Sequence, residues 1–174
     1  MSSETWFVVL VLAVVVARLV ELRVAKRNLR WALGRGGVEH AAGHYPAMVA
    51  LHTAFLAACL VEVLVVGRPF LPWLAWPALA ALVAAHALRI WCIRSLGPRW
   101  TTRVVVLPGE PLVTRGPYRW IPHPNYVAVA LEILVLPLVH TAWVTALVFT
   151  VLNAVLLLGV RIPAEERALA AAAP

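Results

Sequence analysis

Charge, and acidic charge above all, is what this chain has little of. Only 13% of its 174 residues are charged, with 8 acidic side chains against 15 lysines and arginines. Hydrophobic residues make up 63%, well above the ~45–50% of soluble domains, and no stretch is left over to build one. Cysteine is nearly absent too. Cys59 and Cys92 both fall in apolar runs, which suits small buried hydrophobes and argues against a disulfide or a four-ligand zinc site. No GxGxxG follows a strand pattern, so a soluble Rossmann domain is excluded, and no Gly-Lys-Ser follows the glycine turn at 34–37. Internal repeats and low-complexity linkers are missing, so residues 1–174 read as one domain. No basic stretch precedes the first apolar run and no small-residue cleavage site follows it, which predicts a membrane helix and not a signal peptide.

What remains is apolar runs with charged borders. Stretches 6–22, 47–66, 70–93 and 141–160 approach or reach the ~20 residues of a spanning helix. A fifth, 126–139, has 14 residues, about 21 Å of helix at ~1.5 Å per residue, so it is short, tilted or buried in protein. With the N-terminus outside, loops 23–45 and 94–123 hold five Lys/Arg each and the tail after Val160 two, while the opposite side holds only Arg68. That asymmetry follows the positive-inside rule and accounts for the net charge of +7 without nucleic acid as a partner. The expected fold is an all-α integral membrane protein of about five transmembrane helices, with a short helical hairpin at 124–160 and small cytosolic connecting segments.

Several ionisable residues fall inside the spans. Arg18 and Glu21, three apart on the first helix, can offset each other near the cytosolic boundary. His52 and Glu62 lie in the second span, His86 and Arg89 in the third, and Glu132 in the short one; they line an acceptor cavity or form structural pairs. His40 and His44 have i, i+4 spacing, but no HExxH and no third ligand accompany them, which favours interfacial polar residues over a metal. The segment from Thr101 to Leu107, Pro-Gly-Glu-Pro and Leu112 to Thr114 predicts a short β-hairpin.

The densest chemistry sits in two polar stretches that bracket the last hydrophobic hairpin. Arg115 to Tyr126 holds two prolines around His123, with Pro124 placed to open a helix whose free N–H groups favour an anion. Thirty-five residues after Tyr126, Arg161 to Glu166 returns a guanidinium and two carboxylates to the same end. Arg161 and Glu165 have the i, i+4 spacing of a pair, while Glu166 points elsewhere.

The motifs Leu-Val-Thr-x-Gly-Pro-Tyr-Arg (112–119), His-Pro-Asn-Tyr (123–126) and Arg-Ile-Pro-Ala-Glu-Glu (161–166), with Leu-Gly-x-x-Trp (96–100) before them, resemble the isoprenylcysteine carboxyl methyltransferase family of integral-membrane enzymes. The resemblance implies a cytosol-facing S-adenosylmethionine site contacted by Tyr118, His123, Pro124, Tyr126 and Glu165 and lined by Leu112 and Val113. It places Arg161 and Glu166 nearest the acceptor, as the catalytic pair, and needs no metal. The acceptor would be a lipophilic molecule from the bilayer, with membrane lipids around the chain. Pro122 replaces the arginine that the family usually has before the histidine. With Lys26-Arg27-Asn28 in the first loop and His44-Tyr45-Pro46 before the second span, this looks like a bacterial branch in the cytoplasmic membrane that O-methylates polyketide lipids such as alkylpyrones and alkylresorcinols. Carboxyl methylation of prenylated cysteine and N-methylation of a phospholipid remain alternatives, and a small membrane scaffold is the non-enzymatic one.

Overall fold

The first helix begins where the sequence supplies a cap. The Ser2 hydroxyl accepts a hydrogen bond from the Thr5 amide at 3.2 Å, and Glu4 lies in the electropositive first turn. In the computed structural model, which describes residues 2–172, α1 (Ser3–Leu33) runs unbroken through the basic stretch to a glycine turn. Then come β1 (Val38–His40), a 3-10 turn, α2 (Tyr45–Leu64), α3 (Pro72–Leu96), β2 (Val104–Val106), α4 (Pro124–Leu138), α5 (Trp143–Leu156), a π-helical turn (Leu157–Arg161) and α6 (Ile162–Ala171).

By length and composition three helical stretches can cross a membrane: Ala42–Leu64, Pro72–Arg99 and Trp143–Ala171. Helix α1 is long but carries charges along its second half, and α4 has only 15 residues. The architecture is all-α apart from one short ribbon. Here the expected hairpin gives way to a long-range pairing, in which β2 lies antiparallel to β1 with Val38 opposite Val106. Pro111 lacks the N–H a return strand needs, and Arg99 holds the 110–111 segment by donating to the Pro111 carbonyl at 2.7 Å. The same pairing puts His40 in a strand and His44 in the 3-10 turn, so the two histidines share no helix face.

Small residues let the central helices approach. Helix α3 turns Ala75, Ala78, Leu82, Ala85, Arg89, Cys92 and Ser95 inward, and α4 answers with Ala128, Val129, Ile133 and Leu136. Phe7 and Val11 of α1 and Phe55, Cys59 and Val63 of α2 complete the core. Exposed Val148, Val151, Leu152, Val155 and Leu158 make the outer face of α5 and the turn after it as apolar as its interior, the pattern of a helix in lipid.

Several polar groups inside this frame are paired, while both ring nitrogens of buried His140 and the Asn153 Oδ1 have no partner among the described residues. Glu62 caps α5: its carboxylate accepts from the Val144 and Thr145 amides at 3.2 and 2.7 Å and from Arg68 Nε at 2.8 Å. His52 turns its Nδ1 to the Met48 carbonyl of its own helix at 2.8 Å. Glu132 finds the partners that the sequence left unnamed. Arg18 approaches it at 3.2 Å, His86 at 3.3 Å and Arg89 at 3.8 Å, while Glu21 links both arginines at 2.7 and 2.9 Å. The network ties α1 to α3 and α4 through long side chains. Removing one member of a buried ion network leaves its partners uncompensated, so Glu132→Ala should cost about 3–5 kcal/mol in unfolding experiments in detergent. A loss below about 1 kcal/mol would show that the network does not hold the bundle.

Candidate active site

Pro163 creates the local geometry of the site. A proline inside a helix donates no hydrogen bond to the carbonyl four residues back and crowds it, and here that residue is Gly159. The chain answers with the π-helical turn at Leu157–Arg161 directly before α6. This widened turn rotates Arg161 away from the phase an ideal helix would give it. Arg161 therefore does not meet Glu165 directly as its spacing suggested; a tyrosine stands between them.

The Arg161 guanidinium is 4% exposed and reaches three elements. Its Nε donates to the Tyr126 hydroxyl at 2.9 Å, Nη1 to His44 Nε2 at 3.0 Å and Nη2 to the Thr102 carbonyl at 3.0 Å. His44, as the acceptor, carries its own proton on Nδ1. The Tyr126 hydroxyl in turn donates to Glu165 Oε2. His123 stacks on Tyr126 with ring centroids 5.5 Å apart; its Nε2 lies 3.3 Å from Glu166 Oε1 and its Nδ1 3.8 Å from Glu165 Oε1. A continuous polar chain thus runs Arg161, Tyr126, Glu165, His123, Glu166. Arg161 is buried, whereas the Glu166 side chain is 62% exposed.

The N-terminus of α4 holds this chain in place. His123 is its N-cap residue but makes no side-chain capping bond, and buried Pro124 follows at the first helical position. Asn125 Oδ1 is buried beside them with no hydrogen-bond partner among the described residues. Asn125 stands in the His-Pro-Asn-Tyr motif with no role legible there, and no local pattern marks His44 as a partner of Arg161. Tyr118 lies in the 3-10 turn Gly116–Arg119 that packs on α3. Burial pushes its phenol well above the usual range, helped by the Cys92 thiol and then by Glu165 and Tyr126, so the hydroxyl stays neutral. Gly116, which opens that turn, has φ +62, and a Cβ there would stand 2.0 Å from Ser95 Oγ. Only glycine fits.

Leu112 and Val113 lie elsewhere. They line a cavity of about 460 Å³ with Trp31, Arg35 and Arg99, and none of Tyr118, His123, Tyr126, Arg161 or Glu165 borders it. The structure therefore gathers Tyr118, His123, Pro124, Tyr126, Arg161, Glu165 and Glu166 at one end of the bundle and sets Leu112 and Val113 apart.

One guanidinium and two carboxylates meet here, and Asn125 adds an unused acceptor. Such a set fits a ligand that brings positive charge, hydroxyl and amino donors, as S-adenosylmethionine does.

A helical membrane protein with a polar site at one end of the bundle is the class these features define. The profile of the isoprenylcysteine carboxyl methyltransferase family matches residues 78–171, more than half of the chain, and the protein belongs to that family. It is 40% identical over 164 residues to the uncharacterized protein YpbQ of Bacillus subtilis (strain 168), covering 94% of this chain and 96% of the relative. An uncharacterized protein of Haemophilus influenzae (strain ATCC 51907 / DSM 11121 / KW20 / Rd) is 27% identical over 153 residues, or 87% and 88% of the two chains. No solved structure matches.

The geometry makes Tyr126 the bridge between the buried cation and the carboxylates. Tyr126→Phe keeps the ring on His123 but strips Arg161 and Glu165 of their shared hydroxyl, at a cost of about 1.5–3 kcal/mol for hydrogen bonds to charged groups. Thermal unfolding in detergent measures this loss, and an unchanged midpoint would show that the bridge carries no stability.

Proposed function

We propose that this chain, as one domain over residues 1–174, is an S-adenosylmethionine-dependent methyltransferase that O-methylates a lipophilic acceptor drawn from the bilayer. A polyketide-type phenol or enol, such as an alkylresorcinol or alkylpyrone, is the acceptor class. The observation that carries this reading is the polar chain from buried Arg161 through Tyr126, Glu165 and His123 to exposed Glu166. It sets an acidic face beside a buried cation, and the reaction needs both.

The cofactor supplies a methyl group activated by a positively charged sulfur. The protein must hold it, align the acceptor oxygen and keep water away. Glu165, His123 and Asn125 are the polar groups that hold the cofactor, with Tyr126 and Tyr118 as its aromatic walls and Pro124 fixing the helix end beneath it. Membership of the family supports these roles.

Arg161 serves the acceptor. Of the five N–H groups of a guanidinium, three are engaged with protein, which leaves two to steady a developing oxyanion. His123, steadied by Glu166 at 3.3 Å, takes the acceptor's proton and releases it to solvent through the exposed carboxylate. A phospholipid amine would gain nothing from a cation at this place, which favours an oxygen acceptor over N-methylation.

Five membrane segments with the N-terminus outside put this site at the cytosolic face of a bacterial cytoplasmic membrane. The Lys/Arg asymmetry of the loops supports that orientation.

Arg161→Lys separates acceptor chemistry from cofactor binding, because lysine keeps the charge and loses the planar fork. Turnover at saturating acceptor should fall about 100- to 1000-fold, as for loss of an oxyanion donor. Calorimetric affinity for S-adenosylmethionine should stay near wild type in that variant and weaken by about tenfold or more in His123→Ala and Glu165→Ala. Near-normal turnover in the lysine variant would reduce Arg161 to a structural clamp. Unchanged affinity in both alanine variants would remove the two residues from the cofactor pocket.

A further inference from the structure

The cavity that holds Leu112 and Val113 differs in sign from the methyl-transfer site. Arg35, Arg99 and Arg115 line it, against one carboxylate, Glu110. Arg99 and Glu110 are paired with each other, so the surplus rests on the other two guanidinium groups. Arg35 lies over the Trp31 ring at 4.9 Å and has no hydrogen-bond or ion-pair partner among the described residues. Arg115 spends only its Nε, on the Ser95 carbonyl at 2.9 Å, leaving its terminal nitrogens open. Apart from Thr114 and the Trp31 ring, the remaining wall is apolar, from Leu96, Pro98 and Pro111 as well as Leu112 and Val113.

This sign works against the cofactor. S-adenosylmethionine carries a sulfonium, an ammonium and one carboxylate, so a net cation would meet a cavity with two uncommitted cations. An anion with an apolar body meets what the cavity offers. Its position narrows the choice, because it opens at the C-terminal ends of α1 and α3, where these helices leave the membrane on the proposed cytosolic side. Arg23, Arg27 and Arg30 also lie on that side, but they are exposed along α1 and do not line this cavity, so they offer only diffuse attraction.

We infer that this cavity binds the phosphate of an anionic phospholipid, with Arg35 and Arg115 on the phosphate oxygens and the Leu96–Leu112 wall against the glycerol and first methylenes. Guanidinium forks match phosphate geometry, and about 460 Å³ exceeds what a bare phosphate fills. The inference rests on the membrane orientation proposed above but not on the methyl-transfer reading. A lipid held there fixes the cytosolic ends of α1 and α3 relative to the 110–115 segment.

Native mass spectrometry of the full chain, released from micelles containing equal phosphatidylglycerol and phosphatidylcholine, tests this. Two arginines at about 1 kcal/mol each correspond to a preference for phosphatidylglycerol of about 10- to 30-fold. Arg35→Gln with Arg115→Gln should abolish the preference in a chain that still unfolds cooperatively. Arg23→Gln with Arg27→Gln, which removes the same charge away from the cavity, should keep it. Equal retention of both lipids, equal loss in the two double variants, or release of the lipid by S-adenosylmethionine would each overturn the inference. So would full displacement by millimolar inorganic phosphate, which would mark a free-anion site. A chain that fails to bind S-adenosylmethionine yet retains the anionic lipid would sink the enzyme reading and leave this one standing.

Discussion

One buried guanidinium holds the polar end of the molecule together. Arg161 reaches the turn before α2 through His44, the segment before β2 through Thr102 and the start of α4 through Tyr126, while itself closing the π-helical turn. These segments are far apart in sequence. A charge withdrawn from water must be met by close acceptors, and that requirement fixes where each segment sits. Under the proposed function the same contacts leave two N–H groups for the acceptor oxygen, so stability and chemistry would draw on one side chain.

A second constraint acts within the bundle. Helix α1 reaches α3 and α4 through Arg18, Glu21, Arg89 and Glu132, with His86 beside them, and through Phe7 and Val11 in the core. In lipid there is no hydrophobic drive to press helices together, so small residues set the α3–α4 approach and ion pairs set the position of α1. The two networks divide the labour: one joins the helices in the apolar region, the other joins the loops at their end.

Much of this was legible in the sequence, because it follows from local patterns. Apolar runs marked the helices, Arg18 and Glu21 pair as their spacing implies, and the two motif stretches meet at one end of the hairpin. What escaped depends on distant partners. The β1–β2 pairing joins strands more than sixty residues apart, while the local turn signal around Pro108 and Pro111 pointed to a hairpin. Asn28, noted in the sequence only as part of the Lys26-Arg27-Asn28 stretch, is buried and donates to the Gly97 and Trp100 carbonyls at 3.2 and 2.8 Å, anchoring the end of α3 to α1. The displaced phase of Arg161 did have a signal. Pro163 stands where an uninterrupted α-helix cannot tolerate it, so i, i+4 reasoning across it was bound to fail.

The acidic cluster at Glu165 and Glu166 and the arginine-lined cavity beside Leu112 differ in charge although they belong to neighbouring segments. The claim that the acidic one is a methyl-transfer site is tested most directly by supplying S-adenosylmethionine, labelled on its methyl group, to membranes that contain the chain and a panel of phenolic and pyrone lipids. The account requires label in an O-methylated lipid of the organic extract, absent from membranes without the chain. Label that remains in the aqueous phase for every lipid, while the purified chain is folded, would contradict it.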